Sequence, residues 1–170
     1  NPFSGFSHQG VARDKEMIRY YTTERIKATL KQAERLGINT LVARADRHIG
    51  RVLREYWDEG GTIQWIAQTC SELASLTGAI ENAIQAGAGA VYIHGGKMVF
   101  LYANKQLDQA VKGVEQIRKS GLPVGIASHL PKVLEWAEGV RLDVDFYVCS
   151  YYDPTPRDFR AEHDPKANEE

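Results

Sequence analysis

Polar side chains that could do acid–base chemistry follow two apolar, strand-like runs of the sequence. His94 comes directly after Ala90–Ile93, and His129 comes after a run that ends at Ser128. An imidazole can donate, accept or transfer a proton near neutral pH. We therefore expect His94 and His129 to be catalytic. The alternative is that His94 only caps a loop and that His129 only caps the helix opened by Pro131.

A second polar group follows the run Thr40–Ala43 and consists of Arg44, Asp46, Arg47 and His48. Guanidinium groups bind carboxylates and phosphates through paired hydrogen bonds. We expect Arg44 and Arg47 to bind an anionic substrate and Asp46 and His48 to take part in catalysis. The alternative is structural, with Asp46 capping the next helix and Arg44 paired with an acid at a strand end.

Three further polar residues follow apolar runs and are predicted to bind substrate. Gln68 follows Thr62–Ala67, and Tyr151 and Asp153 follow Phe146–Cys149. Asp153 could instead form a turn.

A metal site is the main alternative to metal-free chemistry. Its nitrogen and oxygen donors would be His48, His94, His129, Asp46 and Asp153, which suit a divalent metal. The protein would then be a metal-dependent isomerase or hydrolase acting on a small polar substrate. A non-catalytic binding barrel is a third hypothesis.

The elements that position these residues are predicted from hydrophobic periodicity. The predicted strands are 40–43, 62–67, 90–93, 122–127 and 146–149, and amphipathic helices separate them, including 23–36 and one marked by the regular stripe from Leu107 to Ile117. The first strand lacks polar alternation, which predicts burial on both faces. The segment after His94 is predicted to be a longer loop.

Single helices between strands predict parallel pairing with right-handed crossovers. Neither a GxGxxG nor a GxxxxGK[ST] motif is present, which disfavours a doubly wound nucleotide-binding sheet. We predict an α/β fold, a parallel (β/α) barrel of the TIM type, because every polar cluster falls at the carboxyl end of a strand. Residues 1–156 would form about strands 2 to 6 of an incomplete barrel, and residues 157–170 a polar loop or disordered tail. The missing strands are expected from a longer chain or from a homo-oligomer.

The composition of the chain limits the classes of partner that we expect it to bind. The chain has 21 basic and 22 acidic residues and a formal net charge of −1, which disfavours nucleic acid and anionic membranes. No apolar run approaches the roughly 20 residues of a membrane span. Two cysteines without metal-ligand spacing indicate a reduced compartment. We expect a cytoplasmic protein with a small-molecule substrate.

Three short segments resemble the aldo-keto reductases. Gly37–Asn39 followed by Ala45 and Asp46 is similar to that family's second strand, Val91–His94 to its fourth, and Gly125–Ser128 to its fifth. The resemblance implies an NADP-dependent oxidoreductase in which Ser128 helps to bind the cofactor.

The resemblance also implies a tetrad of Asp, Tyr, Lys and His. Of these only His94 is matched. Ala43, His48 and Gln68 stand where the aspartate, tyrosine and lysine are expected, so the implied tetrad is degenerate.

Overall fold

The computed structural model describes residues 2–5, 10–71 and 75–150, which form alternating helices and strands. After a short 3-10 helix, Pro2–Ser4, the helices are α1 Val11–Tyr20, α2 Thr23–Arg35, α3 Arg47–Asp58, α4 Leu76–Gln85, α5 Gly95–Ala103, α6 Leu107–Lys119 and α7 Pro131–Gly139. The strands are β1 Thr40–Arg44, β2 Gln64–Gln68, β3 Ala90–Ile93, β4 Val124–Ser128 and β5 Phe146–Cys149.

The strands make one sheet in the order β1-β2-β3-β4-β5, so spatial order equals chain order. β1 pairs in parallel with β2, and β4 pairs in parallel with β5. This confirms the predicted parallel α/β class. The described residues contain five strands, fewer than the eight of a closed TIM barrel.

The chain divides into two compact units, Asn1–Val91 and Tyr92–Glu170. The core of the first unit contains one apolar stripe of α3, made of Ile49, Val52, Leu53 and Tyr56, as the helical periodicity predicts. Trp65 of β2 is 1% exposed, and its indole Nε1 donates to the Ala43 carbonyl oxygen at 3.0 Å. Burial of a large aromatic ring with its N–H satisfied makes Trp65 an anchor between β1 and β2.

A buried lysine ties α2 to the end of α3. The Lys27 side chain is nearly inaccessible, and its Nζ forms ion pairs with Glu24, Glu55 and Glu59. Glu59 also pairs with Lys31 at 2.6 Å. Hydrogen bonds from Lys27 and Lys31 lower the pKa of Glu59 to about 2.

In the second unit, an arginine clamp joins α6 to the start of β5. Arg118 donates to both carboxylates of Asp143 and Asp145 at 2.8 to 3.1 Å. Asp145 also accepts from the Val124 amide at 2.7 Å, while its own amide donates to the Val124 carbonyl. The clamp therefore fixes the register at the point where β4 and β5 begin.

Two helices were not predicted. α1 has no buried residue among its ten, so it presents no apolar stripe to a core; Val11 is 68% exposed. The loop predicted after His94 is wrong for residues 95–103, which form α5 with Met98 and Leu101 buried. α5 begins with two glycines and continues with a contiguous apolar run, so its sequence does not show the spacing of an amphipathic helix.

The prediction that the first strand is buried on both faces is also wrong. Val42, in the middle of β1, is 55% exposed. β1 is an edge strand of the sheet, so one side of it lacks a neighbouring strand among the described residues.

Candidate functional site

In the first unit, Arg44 and Gln68 lie side by side at the carboxyl ends of β1 and β2. They are register partners in the parallel pair, so their side chains lie on the same face of the sheet. The Ala45 amide continues the pairing by donating to the Gln68 carbonyl at 2.8 Å. The structure thus brings together two of the predicted substrate-binding residues.

Arg44 is 6% exposed and is held by polar neighbours. Its Nη2 donates to the Cys70 sulfur at 3.4 Å, and its Nε lies 3.1 Å from Oδ2 of Asp46. Burial raises the pKa of the Cys70 thiol, an effect that the neighbouring guanidinium only partly opposes. Cys70 is therefore a protonated thiol and a poor nucleophile at neutral pH.

Asp46 caps a helix and contacts an arginine. Its Oδ1 accepts from the Ile49 amide at 2.8 Å, which makes it the N-cap of α3, while Oδ2 faces Arg44. The N-cap is the structural role that was considered for Asp46 as the alternative to catalysis.

Arg47 and His48 occupy the first turn of α3. Arg47 is exposed and lines a cavity of about 630 Å³. His48 is half-buried, and its Nδ1 lies 3.4 Å from Nη2 of Arg51. The cavity is bounded by the start of α3 and the second half of α4, with Ala45, Asp46, Arg47, Gly50, Arg51, Arg54, Cys70, Asn82, Gln85 and Ala86 around it.

In the second unit, His94 is the N-cap of α5. Its Nδ1 accepts from the Gly96 amide at 2.9 Å, so this nitrogen carries no proton and the neutral ring holds its proton on Nε2. In this geometry His94 is a hydrogen-bond donor through Nε2.

His129 and Ser150 meet at the carboxyl ends of β4 and β5. The distance between His129 Nδ1 and Ser150 Oγ is 2.6 Å, and both side chains are half-buried. α5 begins beside this place, because a Cβ on Gly95 would lie 3.5 Å from Ala127 and Ser128. His94 therefore borders the same end of β4 as His129.

The Ser128 hydroxyl, predicted to help bind a cofactor, forms hydrogen bonds within the chain. It accepts from the Leu130 amide and donates to the Leu130 carbonyl, both at 2.9 Å. These bonds shape the turn between β4 and α7.

Two predicted site residues, Tyr151 and Asp153, lie outside the described residues. Across residues 2–5, 10–71 and 75–150, no group of three or more His, Cys, Asp or Glu side chains is arranged to hold a metal ion. Over the same ranges, no helix combines the length and apolarity needed to cross a membrane.

Sequence reasoning missed Ser150, Arg51 and Arg54. Ser150 had a usable signal, since it directly follows a predicted strand, like His94 and His129. Arg51 and Arg54 also had one, because with Arg47 they recur at i, i+4 and i+7, the spacing of one helix face.

The chain was compared with known proteins. No protein-family model matches it, and no curated protein matches it significantly. A solved structure from Coccidioides immitis, assigned as a deoxyribose-phosphate aldolase, is similar with a TM-score of 0.56 and 13% identity over 76% of this chain and 54% of that one. A second, QR15, described as an aldolase, has a TM-score of 0.59 and 13% identity over 76% of this chain and 61% of that one.

The chain therefore spans between about half and three fifths of the length of these structures. At this identity the likeness concerns the fold, and it confirms the predicted incomplete barrel of the TIM type. The resemblance to aldo-keto reductases was wrong, because the structures that share the fold are described as aldolases. The tetrad and the NADP site rested on that resemblance and lose their support with it.

Proposed function

We propose that this chain carries the catalytic residues of a (β/α)-barrel enzyme that transfers protons to and from a small polar organic substrate. The observation that supports this most directly is the 2.6 Å contact between His129 Nδ1 and Ser150 Oγ at the carboxyl ends of two adjacent strands. Barrel enzymes hold their reacting groups at this edge of the sheet.

In this proposal His129 is the general acid or base and Ser150 is a positioning residue. A hydroxyl bonded to one ring nitrogen fixes the tautomer and orientation of an imidazole. The second nitrogen, Nε2, exchanges the proton with the substrate. His94 supplies a hydrogen bond from Nε2 to an oxygen that gains negative charge, in the manner of an oxyanion donor.

Proton abstraction beside a carbonyl group is the reaction that suits these groups. An imidazole removes the proton, and a neutral donor stabilises the enolate oxygen that forms. The proposal requires residues of the second unit only.

Solvent exchange tests the proposal on a range of carbonyl compounds, so that no single substrate has to be assumed. The purified protein is incubated in D₂O with a panel of aldehydes, ketones and 2-oxo acids, and deuterium at the carbon beside the carbonyl is measured by NMR. We expect incorporation into at least one compound, a loss of about 100-fold in His129→Asn, and a changed pH profile in Ser150→Ala. Ser120→Ala is the matched control, because the Ser120 hydroxyl donates to the Ile117 carbonyl within the last turn of α6. No incorporation across the panel, or an unchanged rate in His129→Asn, would refute the proposal.

Aldol cleavage is the second candidate, favoured by the two aldolases that share the fold. One route to it uses a lysine amine that forms an imine with the substrate carbonyl. None of the five strands in the described ranges contains a lysine. Borohydride reduction in the presence of a carbonyl compound traps such an imine as a stable adduct. We expect no added mass on any lysine; an adduct would instead support the amine-dependent route.

A further inference from the structure

We infer that the cavity between α3 and α4, which is lined by residues of the first unit, is a binding site for an organic phosphate. Three arginines of α3, Arg47, Arg51 and Arg54, border it. We call them the arginine stripe. Their i, i+4, i+7 spacing puts them on one helix face over about 10 Å.

The stripe concentrates positive charge that the described part of the chain does not neutralise. Arg47 and Arg54 make no hydrogen bond or ion pair with another described residue. Arg51 has a distant ion pair with Glu55, at 3.9 Å, and donates to Thr23 Oγ1 at 3.2 Å. Arg47 also stands in the first turn of α3, where the helix dipole disfavours a cation.

Among the described residues that line the cavity, Asp46 is the acidic one, and its carboxylate is already engaged. Asp46 caps α3 and faces Arg44, and Glu81 accepts from the Gln85 side chain at 3.0 Å. Neither provides a dedicated counter-ion for Arg47 or Arg54. An external anion would balance the positive charge of the arginine stripe.

The shape and the opposite wall indicate what kind of anion fits. A cavity of about 630 Å³ is in the range of sites for small organic ligands and is larger than an inorganic ion requires. Asn82 and Gln85 of α4 line it with amides, which hydrogen-bond to hydroxyl groups. A phosphate ester that carries hydroxyl groups, either a sugar phosphate or a nucleotide, would bind the arginine stripe through its phosphate and the amides of α4 through its hydroxyl groups.

Arg54 offers the clearest substitution. Its side chain is exposed and has no partner among the described residues, so its removal leaves the packing of α3 unchanged. The matched control is Arg19, an exposed arginine of α1 that does not line the cavity. Both changes, Arg54→Ala and Arg19→Ala, remove one positive charge from the first unit.

Calorimetric titration of the purified protein with glucose 6-phosphate, AMP, inorganic phosphate and glucose tests the inference. We expect at least one ester to bind more tightly than inorganic phosphate, and glucose not to bind. Arg54→Ala should weaken ester binding about tenfold or more, whereas Arg19→Ala should not. A preference for glucose 6-phosphate or for AMP identifies the ligand as a sugar phosphate or as a nucleotide.

Three outcomes would overturn the inference: no ester binds, glucose binds as well as its phosphate, or both arginine variants bind like the wild type. Because binding is measured directly, these outcomes are independent of whether His129 transfers protons.

Discussion

The imidazole of His129 and the hydroxyl of Ser150 are 21 residues apart in the chain, yet Nδ1 and Oγ lie 2.6 Å from each other. The cause is the parallel register of β4 and β5, in which Ser128 is the partner of Cys149. The residues that follow this pair leave adjacent strands at the same edge. The contact between His129 and Ser150 therefore depends on the register in which β4 pairs with β5.

Removal of the Ser150 hydroxyl should be visible at the His129 ring without any assay of activity. In Ser150→Ala the Nδ1 nitrogen loses its hydroxyl partner, so its ¹⁵N chemical shift should move in a histidine-labelled sample. Ser120→Ala should leave that signal in place. Identical His129 spectra in wild type and Ser150→Ala would show that the hydrogen bond does not form in solution.

The sequence could predict which strand ends carry candidate polar side chains, because the periodicity of a strand and the polar residues that follow it are local properties. His94, His129 and Asp46 were identified in this way. It could not predict that Ser150 would face His129, since that depends on register between segments. The same limit applies to α5, whose cap is a histidine instead of the Ser, Thr, Asp or Asn typical of helix starts.

His94 should have a structural role that can be separated from the chemical role proposed for it. His94→Ala removes the acceptor for the Gly96 amide and should lower the free energy of unfolding by about 1 kcal/mol. His94→Asn keeps a good capping side chain and should retain most of that stability while lacking the imidazole. Urea unfolding of the three proteins measures the difference. Equal stability of wild type and His94→Ala would mean that the cap contributes nothing.

Glu59 should give the protein part of its acid sensitivity. Its pKa is lowered from 4.5 to about 2 in the folded chain, so folding favours its ionised form. The resulting stabilisation is fully present above pH 4.5 and is lost as the pH falls towards 2. Glu59→Gln should be less stable than wild type at about pH 7, and the gap should narrow between pH 4.5 and 2.

Chemical unfolding at a series of pH values measures this gap. Glu16→Gln is a matched control, because the ion pair of Glu16 with Arg13 in α1 is exposed to solvent. A constant gap between Glu59→Gln and wild type across the acid range would contradict the assignment.

Gly125 should be required by the ring of Phe146, its register partner on β5. A Cβ at position 125 would lie well inside van der Waals distance of three ring carbons of Phe146, and a rigid ring in a strand cannot move aside without disturbing its neighbours. Gly125→Ala should therefore cost about 1 to 3 kcal/mol of stability. Phe146→Leu, which removes the ring, should make the same glycine substitution much less costly.

A double-mutant cycle of these two changes measures the coupling directly. We expect the double variant to be more stable than the sum of the single losses predicts, by about 1 kcal/mol or more. Additive losses would mean that the ring does not pack on Gly125 in solution. The register that brings His129 to Ser150 would then lose its support as well, since both contacts depend on the same pairing of β4 with β5.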